Sequence, residues 1–264
     1  MSDRVLVDID DGVADVRLNR PDKRNALDIE MFLTIADTAR SLGADPSIRA
    51  VVLSGEGKGF CSGIDTTIFS GDGGADVNLL DRAEGEAPTH AQAMVYHWTR
   101  MPQPVIAAVH GAAFGGGFQL ALGADIRFAT PDAQLSVMEI KWGLVPDMCG
   151  TQLLGRLVGD DIAKELTWTG RVVDGLDAER LGIVTHVSDT PRDDALTLAR
   201  TIASKNPHAI RGAKRLVNAA NDVGLDEGLA LEAQIQSDII MSPNQLEAIM
   251  SEVQGRPAAF TDPE

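Results

Sequence analysis

PVIAAVHGAAFGGGFQLALGADIRFATPDAQLSVMEIKWGLVPDMCG, residues 104–150, is the stretch whose reading decides the fold. Val105–Val109 is an apolar run of strand length, short enough to be buried on both faces. The chain then passes through HGAAFGGG, where Gly111, Gly115, Gly116 and Gly117 remove side chains at a turn. Phe118–Leu122 follows as an apolar, helix-forming segment. A strand, a glycine turn and a helix start leave backbone N–H groups unpaired at the helix N-terminus, where an anion binds or is stabilised as it forms. Glu139 and Asp147 come some twenty residues later, eight apart, in an otherwise apolar neighbourhood. Donors for an oxyanion beside carboxyls for proton transfer point to catalysis.

Working outward, Val5–Ile9 and Val13–Leu18 alternate apolar and polar around Asp10-Asp11-Gly12, the pattern of a β-hairpin. NRPDKR, residues 19–24, reads as a polar loop, and Asp28 is placed to cap a helix reaching about Leu42. Ala50–Leu53 is a short buried strand, and SGEGKGFCSG (54–63) is a tight loop that exposes backbone. Ser70–Thr89 is acidic and glycine-rich, a surface loop or a lid over a site. Ala91–Met101 reads as a helix stopped by Pro102 and Pro104. Beyond the central stretch, helices are expected at 151–158, 161–169 and 176–181, then a strand at Ile183–Val187. From Pro191 only helices follow, at about 192–204, 208–221, 227–240 and 244–253. The expected organisation is an α/β core over 1–190, its strands grouped ββα, with a helical region over 191–264.

With 264 residues, 44% of them hydrophobic, the chain can bury a large core. A net charge of −16 repels nucleic acid and anionic membranes alike. Cys61 and Cys149 suit a reducing compartment and read as small packed side chains, because no histidine is placed to activate them. His97 and His110 read as structural, and no His/Cys cluster has metal-ligand spacing. MSDRVLVDID lacks the apolar core of a signal peptide, and no run approaches a membrane span, so a cytoplasmic protein is expected. The glycine turn lacks the G-x-G-x-x-G spacing of a dinucleotide site, and no G-x-x-x-x-G-K-[ST] loop is present.

In combination, HGAAFGGGFQLALGADIRFAT, FCSGIDT, NRPDKRNAL and TGRVVDGLDAERLGIVTHV resemble the crotonase (enoyl-CoA hydratase/isomerase) superfamily, from about Val5 to the C-terminus. The resemblance implies a ClpP-like spiral of ββα units and a C-terminal helical trimerisation region. It also implies an acyl-CoA thioester as substrate, with coenzyme A part of that substrate and no separate cofactor. Two backbone N–H groups bind the thioester oxygen in that family; they fall here on Ile64 and Gly116. Each such donor is worth about 3 kcal/mol to an enolate-like transition state.

The carboxyls bear on the reaction. Hydratases of the family use two glutamates, and here those positions hold Gln119 and Glu139. An amide hydrogen-bonds but does not serve as a carboxylate base. EIKWGLVPD, residues 139–147, resembles instead the segment of dienoyl-CoA isomerases (3,5 to 2,4), as do FCSGIDTTIFSGDG and the polar insertion near residue 80. That resemblance makes Asp147 the base and Glu139 the acid; the subgroup carries a third carboxylate where this chain has Gln119. For coenzyme A, it implies contacts from Lys23, Arg24, Ala26, Ser62, Ile64 and Asp65, with Arg256 and Phe260 reaching it, in some relatives from a neighbouring subunit. The expectation is a homotrimer or dimer of trimers that isomerises a dienoyl-CoA. A weak enoyl-CoA hydratase and a non-catalytic acyl-CoA binder are the alternatives.

Overall fold

Two residues with positive φ, Asp11 at 46° and Gly12 at 75°, close the first hairpin. That geometry matches the right-handed twist of flanking strands, and it joins β1 (Val5–Asp10) to β2 (Val13–Leu18) antiparallel, with Asp10 opposite Val13. The computed structural model describes residues 3–70 and 77–263. Asp28 caps α1 (Ile29–Ala44) by accepting from Met31 N, and the helix buries Met31, Phe32, Ile35 and Leu42. β3 (Ala50–Gly55) then lies parallel to β2. A reciprocal Thr89–Gln92 capping box opens α2 (His90–Arg100). β4 (Val105–Val109) pairs parallel with β3.

The glycine-rich turn holds a strand that the sequence pattern conceals, β5 (Ala112–Phe114), directly before α3 (Gly116–Leu122). β6 (Ile126–Ala129) and β7 (Gln134–Ser136) follow, then α4 (Gly150–Val158), α5 (Asp160–Thr169), α6 (Gly175–Arg180) and β8 (His186–Val187). The main sheet runs β1-β2-β3-β4-β6-β8, parallel after the first hairpin, while β5 and β7 form a second small sheet. Bridges Leu27–Ile64, Cys61–Ala113 and Leu135–Val173 continue that second layer across successive turns of the chain. This is the ββα spiral, each turn adding one strand to the large sheet and a short extended piece to the small layer.

The strands read as continuous apolar runs because both faces are covered. Val51, Leu53, Val105, Ala107 and Val109 face the core shared with Phe32, Trp98 and Phe118. Ala50, Val52, Ile106 and Ala108 face a second core with Ala195, Ala199 and Ala203 of α7 (Pro191–Ala203). Those three alanines form a helical stripe that lets α7 lie close on the sheet. The sequence division at 190 therefore falls inside the packed unit, since α7 covers the sheet's second face. The helices beyond it are α8 (Pro207–Ala219), α9 (Leu225–Ile239) and α10 (Pro243–Gln254). They bury little, leaving Val217, Leu225, Leu229 and Val253 exposed. Lys214 ties α8 to the core through Asp125 at 2.7 Å. Among the described residues no helix is long and apolar enough to cross a membrane.

Candidate active site

Gly63 and the Phe114–Gly115 peptide meet at the crossing of two turns that lie some fifty residues apart in the chain. Gly63 has φ +86°, and a Cβ there would sit 2.7 Å from Phe114 O. Leu27 N donates to Gly63 O and Asp65 N to Leu27 O, at 2.8 and 2.9 Å, so the intervening Ile64 amide points away from that ladder. Gly115, with φ +52° and ψ −121°, delivers the chain into α3, leaving Gly116 N–H at the first helical position. No described residue accepts from Ile64 N or Gly116 N. Ile64 and Gly116 line one cavity of about 860 Å³, together with Glu139 and Asp147.

The first loop is braced from beneath. Asn25, buried and left-handed at φ +55°, donates to Glu56 O, Gly59 O and Phe60 O and accepts from Arg20 N. Asn25 escaped the sequence reading as a separate element; its signal is the tolerance of asparagine for left-handed backbone. Ser62 N donates to Arg24 O, so exposed Lys23 and Arg24 stand beside the loop that carries Ser62 and Ile64. Asp65 turns the other way. Its carboxylate accepts from Thr67 N and Thr67 Oγ1 and pairs with Arg20 at 2.7 Å. The Thr67 backbone donor, with the Thr67 hydroxyl and Arg20, holds its pKa down to about 2. Ala26 is buried. Asp65 and Ala26 thus shape the loop from inside instead of presenting side chains to a ligand.

Glu139 begins a 3-10 turn that ends at left-handed Gly143, and an irregular segment from there leads to Asp147 at the cavity. Glu139 is only 7% exposed. Its Oε1 accepts from Gln119 Nε2 at 2.7 Å, while Oε2 has no hydrogen-bond partner among the described residues. Burial pushes the Glu139 carboxyl above the ordinary range; the Asp147 charge adds to this, against opposing hydrogen bonds. Burial raises Asp147 as well, although its residue stays open to solvent at the cavity. α4 starts at Gly150 without any side-chain cap, so Asp147 is not a helix-capping residue.

Gln119 is fully buried and lines no part of this cavity. Its Oε1 accepts from Met148 N and Gly150 N, both at 2.9 Å. The sequence reading placed it among catalytic residues; the structure puts it behind Glu139. Arg256 and Phe260 are also elsewhere in the chain. Arg256 pairs with Glu247, and Phe260 O accepts from Arg49 Nη2 at 2.9 Å, at the start of β3. The Ile64 loop follows the other end of that strand, about 20 Å away for six extended residues.

The sequence reading also missed the apolar wall: Trp142, Leu144 and Val145 line the cavity yet are 51%, 44% and 73% exposed. Of the possible lid, residues 71–76 lie outside the described residues, while Val77–Leu80 line the cavity. The Cys61 thiol is buried and pushed up to about 12 by burial, which leaves it unreactive.

The chain is similar to known proteins over nearly its whole length. Residues 8–263 match the family described as enoyl-CoA hydratase/isomerase. A Mycobacterium tuberculosis protein named as a probable enoyl-CoA hydratase is 34% identical over 264 residues, covering 97% of both chains. The peroxisomal Delta(3,5)-Delta(2,4)-dienoyl-CoA isomerase of Arabidopsis thaliana is 32% identical over 259 residues, covering 95% of this chain and 93% of that one. The crystal structure of enoyl-CoA hydratase from Bacillus anthracis superposes with a TM-score of 0.88 at 30% identity, covering 97% of this chain and 98% of that one.

Proposed function

The chain belongs to the enoyl-CoA hydratase/isomerase family and has its crotonase fold, and from that premise we propose that it isomerises the double bonds of a dienoyl-CoA thioester. The observation that carries the reading is the pairing of two unequal carboxyls, buried Glu139 and open Asp147, in a cavity also lined by Ile64 and Gly116, whose amides have no acceptor among the described residues.

Asp147 takes a proton from an acyl carbon, and the C–H electron pair moves through the conjugated system toward the thioester oxygen. The Ile64 and Gly116 N–H groups receive the charge that gathers there. The pair then returns along the chain to a distant carbon, which forms its new C–H bond with the proton of Glu139. One proton is taken and one is given, so no oxidant enters. A raised pKa suits Glu139 to holding a proton, and access to solvent lets Asp147 lose the one it gains. Lys23 and Arg24, beside the Ser62 loop, supply cations for the coenzyme A phosphates against a net charge of −16. Assembly into a trimer or dimer of trimers belongs to the same proposal; the exposed apolar residues of α8–α10 support it, and Arg256 and Phe260 would then serve a neighbour's site.

The second reading is an enoyl-CoA hydratase using Glu139 alone, favoured by the similarity to proteins named as hydratases. A panel of unsaturated CoA esters separates the two. Isomerisation of a 3,5-dienoyl-CoA creates a conjugated 2,4-dienoyl chromophore, whereas hydration consumes the absorbance of crotonyl-CoA. Hydration without any dienoyl turnover overturns the proposal; thermal stabilisation by CoA esters with neither reaction indicates a binding protein.

A further inference from the structure

The Gln119 amide has only one workable orientation. Two backbone donors, Met148 N and Gly150 N, converge on one of its terminal atoms at 2.9 Å, so that atom is the oxygen. The NH₂ end is then forced onto Glu139 Oε1 at 2.7 Å. A Cβ on Gly150 would lie 2.5 Å from Gln119 Oε1, so a side chain there would push the amide out of its seat. One buried amide thus fastens Glu139 to the turn that immediately follows Asp147.

Two consequences follow for the carboxyl. A donor already fills Oε1, so a proton on this carboxyl belongs on Oε2, a buried oxygen without a hydrogen-bond partner among the described residues. Both acceptor directions of the Gln119 oxygen are also taken, and the residue lies behind the cavity wall, so position 119 offers nothing to orient or deprotonate a water. We propose that Gln119 is a positioning residue that keeps Glu139 a solitary acid with its proton on Oε2, and so selects proton transfer along the acyl chain over water addition. This selection rests on the isomerase reading, but the clamp itself does not.

The distinction lies in what a carboxylate would do in the same place. Glutamate at 119 retains an oxygen for Met148 N and Gly150 N but sets its second oxygen against Glu139 Oε1. Two carboxyls so close share one proton and titrate as a pair.

The test uses the full chain with Gln119→Glu and the near-isosteric Gln119→Met. Infrared titration of the Glu139 carboxyl, assigned by its loss in Glu139→Gln, is read beside dienoyl-CoA isomerisation and crotonyl-CoA hydration. Gln119→Met is expected to move the Glu139 midpoint upward, because a donor to its ionised form is gone, and to lower isomerase kcat at least tenfold with KM within twofold. Gln119→Glu is expected to split the titration into two steps, lower isomerisation at neutral pH and raise hydration. A Glu139 titration unchanged in both variants overturns the proposal whatever the activities. So does Gln119→Glu with undiminished isomerisation and no gain in hydration. Failure of the wild-type protein to turn over any dienoyl-CoA removes the isomerase reading and the selection built on it, while the infrared titration still decides the clamp.

Discussion

Replacing Gly63 by alanine tests the proposed role of the Ile64 and Gly116 amides more directly than any change to an acid. The substitution adds one methyl group at φ +86°, where left-handed backbone costs an L residue about 1–2 kcal/mol. That methyl would begin 2.7 Å from Phe114 O, against an ordinary contact of 3.4 Å or more, so the two turns must separate by about 0.7 Å. Ile64 N, on the next residue, moves with them. A shift of that size takes a donor out of hydrogen-bonding alignment, and one lost oxyanion donor is worth about 3 kcal/mol, or about a hundredfold in kcat. The strain alone lowers Tm by about 2–8 °C for a chain of this size. Steady-state turnover of the best CoA ester, thermal denaturation and CoA-ester binding separate these effects. The expected variant is folded, slightly less stable, still able to bind and about a hundredfold slower. Full turnover despite the fall in Tm refutes the assignment of Ile64 N as an oxyanion donor.

Asp147→Asn is expected to reduce isomerisation by at least a hundredfold while thermal stabilisation by CoA esters persists; turnover within threefold of wild type removes Asp147 from the mechanism. The raised pKa of Glu139 means the folded state holds that proton more tightly than the unfolded chain. Its stabilising effect is complete below the ordinary glutamate value of 4.5 and is lost as pH rises through the raised one. Glu139→Gln keeps the neutral form at every pH, so its Tm advantage over wild type should grow as pH rises above about 4; a constant difference would contradict the burial argument. Arg24→Ala should raise KM for CoA esters several-fold with kcat within twofold, and the effect should shrink as salt screens the phosphates.

Much of the fold was legible locally. Asp11-Gly12 calls for a two-residue hairpin, and Asp28 stands where a helix begins. These features depend on residues within a few positions of one another, which is why spacing reveals them. β5 was hidden because its three residues, Ala112–Phe114, bond to partners at 61 and 134–136, and nothing local marks a strand so short. α7 was assigned to a separate helical region because its alanine stripe carries no sign of the sheet it covers.

At the site, sequence alone determined which groups were available: the glycine turn, the carboxyls at 139 and 147, and an amide where a carboxylate was expected. Only tertiary structure decided how they are arranged. Gln119 takes its role from partners twenty to thirty-one positions away, and Glu139 owes its raised pKa to burial that no neighbouring residue announces. Asp65, which stands among the loop's exposed groups in the sequence, is drawn inward by Arg20. The physical reason is range: backbone preferences act over a few residues, whereas desolvation and hydrogen-bond geometry depend on whatever the folded chain brings within a few ångströms.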